Sequence, residues 1–144
     1  MTTSLREQIR AALPAGAEVA DDLATRLTWA NDASIYRMVP RVVVFPRTAD
    51  EVAAVLRVAA SAATPVCFRA GGTSLSGQAV GDGILLVVSR HLRHIDVLAQ
   101  AELVACEPGA VGAWVNAALA PHGRRIGPDP ASIQAAEIGG IVAN

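Results

Sequence analysis

Residues 71–78, Gly71-Gly72-Thr73-Ser74-Leu75-Ser76-Gly77-Gln78, gather more small hydrogen-bonding groups than any other stretch of the chain. Three glycines let the backbone reach positive φ angles and come close to a ligand. Successive backbone N–H groups can then converge into an anion-binding nest. Thr73, Ser74 and Ser76 add hydroxyl donors, and Gln78 adds an amide. Many short neutral donors suit a diphosphate whose charge is met by dipoles rather than by lysines. On the residues alone, a Gly/Ser-rich connection between two strands fits the segment as well.

The rest of the composition removes several chemistries. All twelve basic residues are arginine, so no side chain can form a Schiff base, and a Walker A phosphate loop is excluded for want of its lysine. A Rossmann fingerprint needs G-x-G-x-x-G between a strand and a helix. Here the glycines stand at 71, 72 and 77, and a turn and a strand follow. A formal charge of −1 and a pI near 6.3, with the arginines dispersed, argue against nucleic acid as partner. The chain is 52% apolar and 17% charged, which reads as globular.

The loop needs strands to hold it, and the pattern supplies them. Residues 4–13 read as a short amphipathic helix with a Ser4/Glu7 capping box and Pro14 as its stop. Residues 21–30 allow another turn or two, and 31–38 (NDASIYRM) read as a loop. Val42-Val43-Val44-Phe45, between Pro40 and Pro46, is a buried strand. A helix follows, with Thr48 and Glu51 as a capping box and Val52, Val55, Leu56 and Ala59 as the buried stripe. Residues 65–69 form the next strand and run straight into the loop. After Gly81-Asp82-Gly83, residues 84–88 are a third strand. Residues 94–98 and 102–107 make a hairpin. A helix over 111–120 buries Val111, Val115, Ala118 and Leu119, and the remainder is punctuated by proline and glycine, with one alanine-rich turn near Gln134.

The run PRVVVFPRTADEVAAVLRVAASAATPVCFRAGGTSLSGQ resembles the start of the FAD-binding domain of the vanillyl-alcohol oxidase/PCMH-type flavoprotein superfamily. There a β-α-β unit delivers an R-x-G-G-x-S loop to the FAD pyrophosphate. GRRIGPDPASIQAAEIGGIVAN resembles the second cofactor segment of the same domain. The likeness spans residues 32–144, and its wording is similar to the D-lactate/D-2-hydroxyglutarate dehydrogenase branch. It implies an α+β fold, a PCMH-type domain of two α/β subdomains around FAD. Residues 1–38 would be a helical lead-in and residues 39–144 the FAD-binding domain. The apolar ending IVAN leads us to expect that the second subdomain continues beyond Asn144.

By position, the resemblance places Arg69, Ala70, Gly71, Gly72, Thr73, Ser74, Leu75, Ser76, Gly77 and Gln78 along the pyrophosphate. Pro128, Asp129 and Ser132 would lie beside the cofactor, and Ile138, Gly139, Gly140, Ala143 and Asn144 against its phosphate, ribose or flavin. Relatives with covalently attached flavin often carry histidine after the paired glycines; this chain has Thr73, which implies non-covalent FAD. The implied activity is oxidation of a D-2-hydroxy acid by hydride transfer to flavin, with electrons passed to a further acceptor. No catalytic base or substrate clamp is evident in these residues. An iron–sulfur cluster is expected only in a C-terminal region outside this chain. Two alternatives stay open: a flavin-binding subunit that works with a separately encoded partner, and a remnant domain without cofactor.

Cys67 and Cys106 are expected as buried thiols, and no metal site is expected. His91 and His94 read as turn residues, His122 as a helix-end cap, and Trp29 and Trp114 as packing residues. Tyr36 and Arg37 are expected to anchor their loop rather than reach a substrate carboxylate or the flavin edge. With no signal peptide or membrane-length apolar run evident, the expected location is cytoplasmic, which is compatible with a peripheral position at the inner face of the membrane.

Overall fold

A computed structural model describes residues 3–143. Helix α1 (Leu5–Ala12) starts with the full capping box: Ser4 Oγ accepts the Glu7 N–H, and the Glu7 carboxylate accepts the Ser4 N–H at 2.7 Å. Strand β1 (Glu18–Ala20), helix α2 (Leu23–Thr28) capped by Asp22, and strand β2 (Val42–Phe45) follow. Helix α3 (Ala49–Ser61) leads to β3 (Val66–Arg69) and then β4 (Ile84–Val87). The expected capping box of α3 forms only in part. Thr48 Oγ1 accepts the Glu51 N–H, but the Glu51 carboxylate takes the N–H of Arg47, one residue before the cap.

These strands form one sheet in the order β1-β2-β4-β3. Strand β4 lies between β2 and β3 and runs parallel to both, whereas β1 is antiparallel to β2. A central parallel strand is covered on both faces, which explains the unbroken apolar run Ile84-Leu85-Leu86-Val87, at most 1% exposed. One face packs Val42, Val44, Ile84 and Leu86 against Ile9 of α1 and Val55 of α3. The other packs Val43, Phe45, Leu85 and Val87 with Trp29 and Cys67.

A second, smaller unit follows. Strands β5 (Ile95–Leu98) and β6 (Leu103–Cys106) pair antiparallel, with Ile95 opposite Cys106. Helix α4 (Gly112–Leu119) lays Val115 and Leu119 on them, with Ala101, Ala110 and the half-buried Ile126 and Ile138. The short helix α5 (Ile138–Ala143) closes the described chain.

Four expectations need correction. The lead-in 1–38 is helical only in part, because β1 joins the same sheet as β2; a strand of three residues is too short to leave a periodic trace. Leu56 is 40% exposed rather than in the stripe, since α3 turns it past the sheet. Trp114 is 48% exposed, with the Arg93 guanidinium 4.6 Å over its ring rather than a packed core. Residues 138–143 form a helix where only irregular chain was expected.

Candidate functional site

The loop after β3 is pinned from behind by the irregular segment 31–38. The Arg69 guanidinium folds back, and its Nη1 donates to the carbonyls of Asn31 (2.8 Å) and Ala79 (3.2 Å). Its charged head also lies 5.6 Å over the Trp29 ring. Burial pulls the Arg69 pKa below its ordinary value, and the Asp32 carboxylate opposes that pull. Asp32 Oδ1 accepts from Ser34, and Oδ2 accepts the Ala79 N–H at 3.3 Å. Desolvation works against the Asp32 charge, but the bonds from Ser34 and Ala79 and the Arg69 charge hold its carboxyl below the usual range. Ala33 N–H donates to the Gly72 carbonyl at 2.9 Å. Tyr36 lies against Gly77, where an added Cβ would stand 2.7 Å from the ring.

Gly72, at φ +67°, lies directly on the Arg69 guanidinium, and a Cβ there would overlap it. The left-handed backbone and the lack of space both require glycine. In front of this support, the N–H groups of Gly72, Thr73, Ser74 and Leu75 have no protein partner among the described residues. The Ser74 hydroxyl is committed within the loop: it accepts the N–H groups of Ser76 and Gln78 and donates to Gln78 Oε1 at 2.9 Å. These backbone donors are free on residues that line the cleft, and this hydroxyl holds the curve of the loop.

The second segment approaches the loop from the other side. It is sewn to the start of α4 and the turn before it. Gly112 N–H donates to Ala136 O, Ala113 N–H to Ile133 O, Ile138 N–H to Ala110 O and Gly139 N–H to Pro108 O, all within 3.0 Å. The two segments touch at Gly71, where an added Cβ would stand 2.5 Å from the Ala135 carbonyl oxygen and 3.5 Å from Glu137 Cγ.

Between them opens a cleft of about 1380 Å³, larger than the roughly 300–1,000 Å³ of an ordinary small-molecule pocket. Residues 70–76 and Gln78 line one wall; Pro128, Asp129, Ser132, Gly139, Gly140 and Ala143 line the facing one. Arg69 and Gly77 lie behind the loop rather than on the wall, and Ile138 points into the second core. Asn144 lies outside the described residues. Free N–H donors, an approach that only glycine permits and a large cleft lined by both segments fit a dinucleotide with a central diphosphate.

One wall residue had no role in the sequence reading. Glu137 is 7% exposed, and its Oε2 is sealed from solvent with no hydrogen-bond partner. Burial pushes its carboxyl up to about 7, against the opposing charges of Arg93 and Arg69. Cys67 and Cys106 also reach the cleft and are half-buried rather than buried. Burial raises both thiols above their ordinary value, which keeps them protonated and weakly nucleophilic.

The histidines serve elsewhere. His91 Nε2 lies 2.9 Å from Glu18, which also binds Arg47 and Arg90 at 2.6 Å, so that β1 is tied to the ends of β2 and β4. His94 pairs with Asp96 at 3.0 Å. Among the described residues no group of three or more His, Cys, Asp or Glu side chains could hold a metal ion.

A loop that offers backbone donors from the end of one parallel strand, facing a second glycine-bearing segment, defines a dinucleotide-binding domain. Comparison with known proteins gives the family: the model for the FAD binding domain matches residues 40–144, and the chain belongs to that family. D-2-hydroxyglutarate dehydrogenase of Pseudomonas putida is 36% identical over 132 residues, which cover 87% of this chain and 13% of that protein. A glycolate oxidase subunit of Escherichia coli is 38% identical over 112 residues, 76% of this chain and 22% of that protein. The chain thus spans about an eighth to a fifth of the length of these curated relatives.

Solved structures share the fold. Alkyldihydroxyacetonephosphate synthase superposes with a TM-score of 0.78 at 18% identity, over 94% of this chain and 30% of that one. Glucooligosaccharide oxidase of Acremonium strictum, described with a 6-S-cysteinyl, 8α-N1-histidyl FAD, gives 0.75 at 20% identity, over 96% and 29%. The PCMH-type α+β reading holds.

Proposed function

We propose that this chain is the cofactor-holding part of an FAD-dependent oxidoreductase that oxidises a small D-2-hydroxy acid of the D-lactate or D-2-hydroxyglutarate kind. The observation that carries the reading is the juxtaposition at Gly71: the diphosphate-type loop and the 128–143 segment form the two walls of one cleft, and both lie within the matched family region. The relatives' names supply the substrate class.

In this reading the N–H groups of Gly72, Thr73, Ser74 and Leu75 hold the diphosphate, and Arg69, Asp32 and Tyr36 keep the loop in shape from behind. Residues 128–132 and 139–143 flank the rest of the dinucleotide. Bound flavin supplies a two-electron acceptor for the hydride of the substrate α-carbon. Attachment is non-covalent. Thr73 stands where covalent relatives often have histidine, and the two protonated cleft thiols are poor nucleophiles. The electron acceptor, substrate clamp and base, and any iron–sulfur cluster, belong to polypeptide other than these residues. No described helix is long and apolar enough to cross a membrane; the location proposed is cytoplasmic, with any membrane association peripheral.

The word "subunit" in the second relative's name favours one further arrangement, in which a separately encoded partner completes the site. Flavin fluorescence during FAD titration of the full chain as encoded, followed by dye reduction with D-lactate, D-2-hydroxyglutarate and glycolate, tests both readings. Binding with turnover supports the single-chain enzyme, and binding without turnover until a partner is added supports the second. Absence of binding overturns the flavoprotein assignment.

A further inference from the structure

The cleft wall contains one ionisable group that its neighbours leave unsatisfied. Glu137 sits where the 128–143 segment meets the loop, 7% exposed, with its Cγ 3.5 Å from the position a Gly71 Cβ would take. Its carboxyl accepts no hydrogen bond from any described residue, and Oε2 is cut off from water. A buried polar atom without a partner is costly, and a buried carboxylate more so. Such a group calls for an explanation in terms of function.

The surroundings decide which protonation state the site prefers. Arg69 from the end of β3 and Arg93 from the turn before β5 are the cations that act on it. Neither reaches hydrogen-bond distance: Arg69 Nη1 is engaged with Asn31 and Ala79, and Arg69 Nε is buried without a partner of its own. Around the same cleft stand Glu107 and Cys106 from the end of β6, Cys67 of β3 and Asp129 at the far side. Glu107 accepts the His94 N–H at 2.7 Å and is turned away to that bond. Burial therefore outweighs the two cations at Glu137, whose carboxyl titrates near neutrality, at about 7. A dinucleotide diphosphate brought into the cleft adds negative charge, which favours the neutral acid further. A neutral carboxylic acid is also a donor, and a diphosphate or flavin carbonyl oxygen is an acceptor.

We propose that Glu137 is a cofactor-contacting acid that binds the dinucleotide in its protonated form, donating a hydrogen bond to a cofactor oxygen, so that FAD binding takes up a proton. The inference rests on the FAD reading above and deepens it. It makes cofactor retention pH-dependent: tight in acid and weakening through the neutral range into alkali.

The test measures FAD affinity of the full chain as encoded, freed of flavin, by flavin fluorescence from pH 6 to pH 9. The native protein should show a Kd that is level in acid and rises about tenfold per pH unit above the titration. Glu137→Gln keeps a donor and removes the titration, so its Kd should stay level and fall at least tenfold below the native value at pH 8.5. Calorimetry at pH 8 in two buffers of different ionisation enthalpy should find close to one proton taken up per FAD by the native protein and none by the variant. Glu137→Thr, smaller and also a donor, gives the same readout if the glutamine variant does not fold. A native profile that is flat, or a slope and proton uptake that persist in both variants, overturns the role of Glu137 while leaving the FAD reading intact. A native protein that binds no FAD at any pH overturns both.

Discussion

The two units of this chain are built to different standards of closure. The β1-β2-β4-β3 sheet hides its central strand completely and is clasped by α1 and α3 on one side and by Trp29 on the other, although Phe68 of its edge strand β3 is 49% exposed. The β5-β6 hairpin and α4 enclose a smaller core and leave Leu103 65%, Trp114 48% and Leu98 46% exposed. Long apolar side chains at the surface contribute little, so stability concentrates in the sheet. The cleft lies between the units: its pinned, glycine-shaped loop comes from the well-closed one, and its second wall comes from the open one. A cofactor that touches both walls would supply contacts that the open unit lacks.

Core substitutions should break this contrast most sharply. Leu85→Ala removes a fully buried side chain from the central strand and should cost about 3 kcal/mol in chemical denaturation. Leu103→Ser on the hairpin should stay within roughly 0.5 kcal/mol. Equal losses would contradict the assignment of stability to the sheet.

Next in size is Gly72→Asp. It places a Cβ in the Arg69 guanidinium, strains the left-handed backbone and sets a carboxylate beside the free N–H groups. FAD affinity should fall at least about a hundredfold, near 3 kcal/mol, while far-ultraviolet circular dichroism stays native.

Glu137 links stability to pH at the boundary between the units. Its folded pKa of about 7 lies above the unfolded value near 4.5. The folded state therefore holds more protons between those values, and the contribution present below pH 4.5 is lost as pH rises to about 7. Without FAD, Glu137→Gln should gain up to ~3 kcal/mol relative to the native protein between pH 4.5 and pH 8, measured by urea midpoints. No pH-dependent difference would mean that the carboxylate finds compensation on ionising.

Two smaller effects sharpen the picture locally. Thr48→Ala removes the side-chain cap of α3 and should cost about 1 kcal/mol. Gln100, at φ 55° in the hairpin turn, is a non-glycine residue in left-handed backbone. Gln100→Gly should stabilise the hairpin by up to about 1 kcal/mol, visible as slower amide exchange in β5 and β6.

The sequence made local features readable and left non-local ones hidden. The capping box of α1, the apolar run of β2 and the glycine loop each follow from adjacent residues. The insertion of β4 between β2 and β3 does not, because periodicity says nothing about partner order. Segment 31–38 looked patternless because its purpose is to reach across the chain: Asp32 meets Ala79, and Tyr36 meets Gly77. Within the site, the cleft-lining residues of the loop and of 128–143 were legible through family wording. Arg69, expected along the pyrophosphate, has its guanidinium bonded to the carbonyls of Asn31 and Ala79. Glu137 was invisible as a functional group, since a lone glutamate among alanines reads as solvent-facing, whereas the fold brings it against Gly71 and leaves it 7% exposed.

The central claim is that one dinucleotide bridges the two walls. Hydrogen exchange of the full chain, with and without saturating FAD, tests it most directly. The account predicts slowed exchange in residues 71–78 and in residues 137–143 together, with the β4 core unchanged. Protection of one segment alone, or of neither, would contradict it.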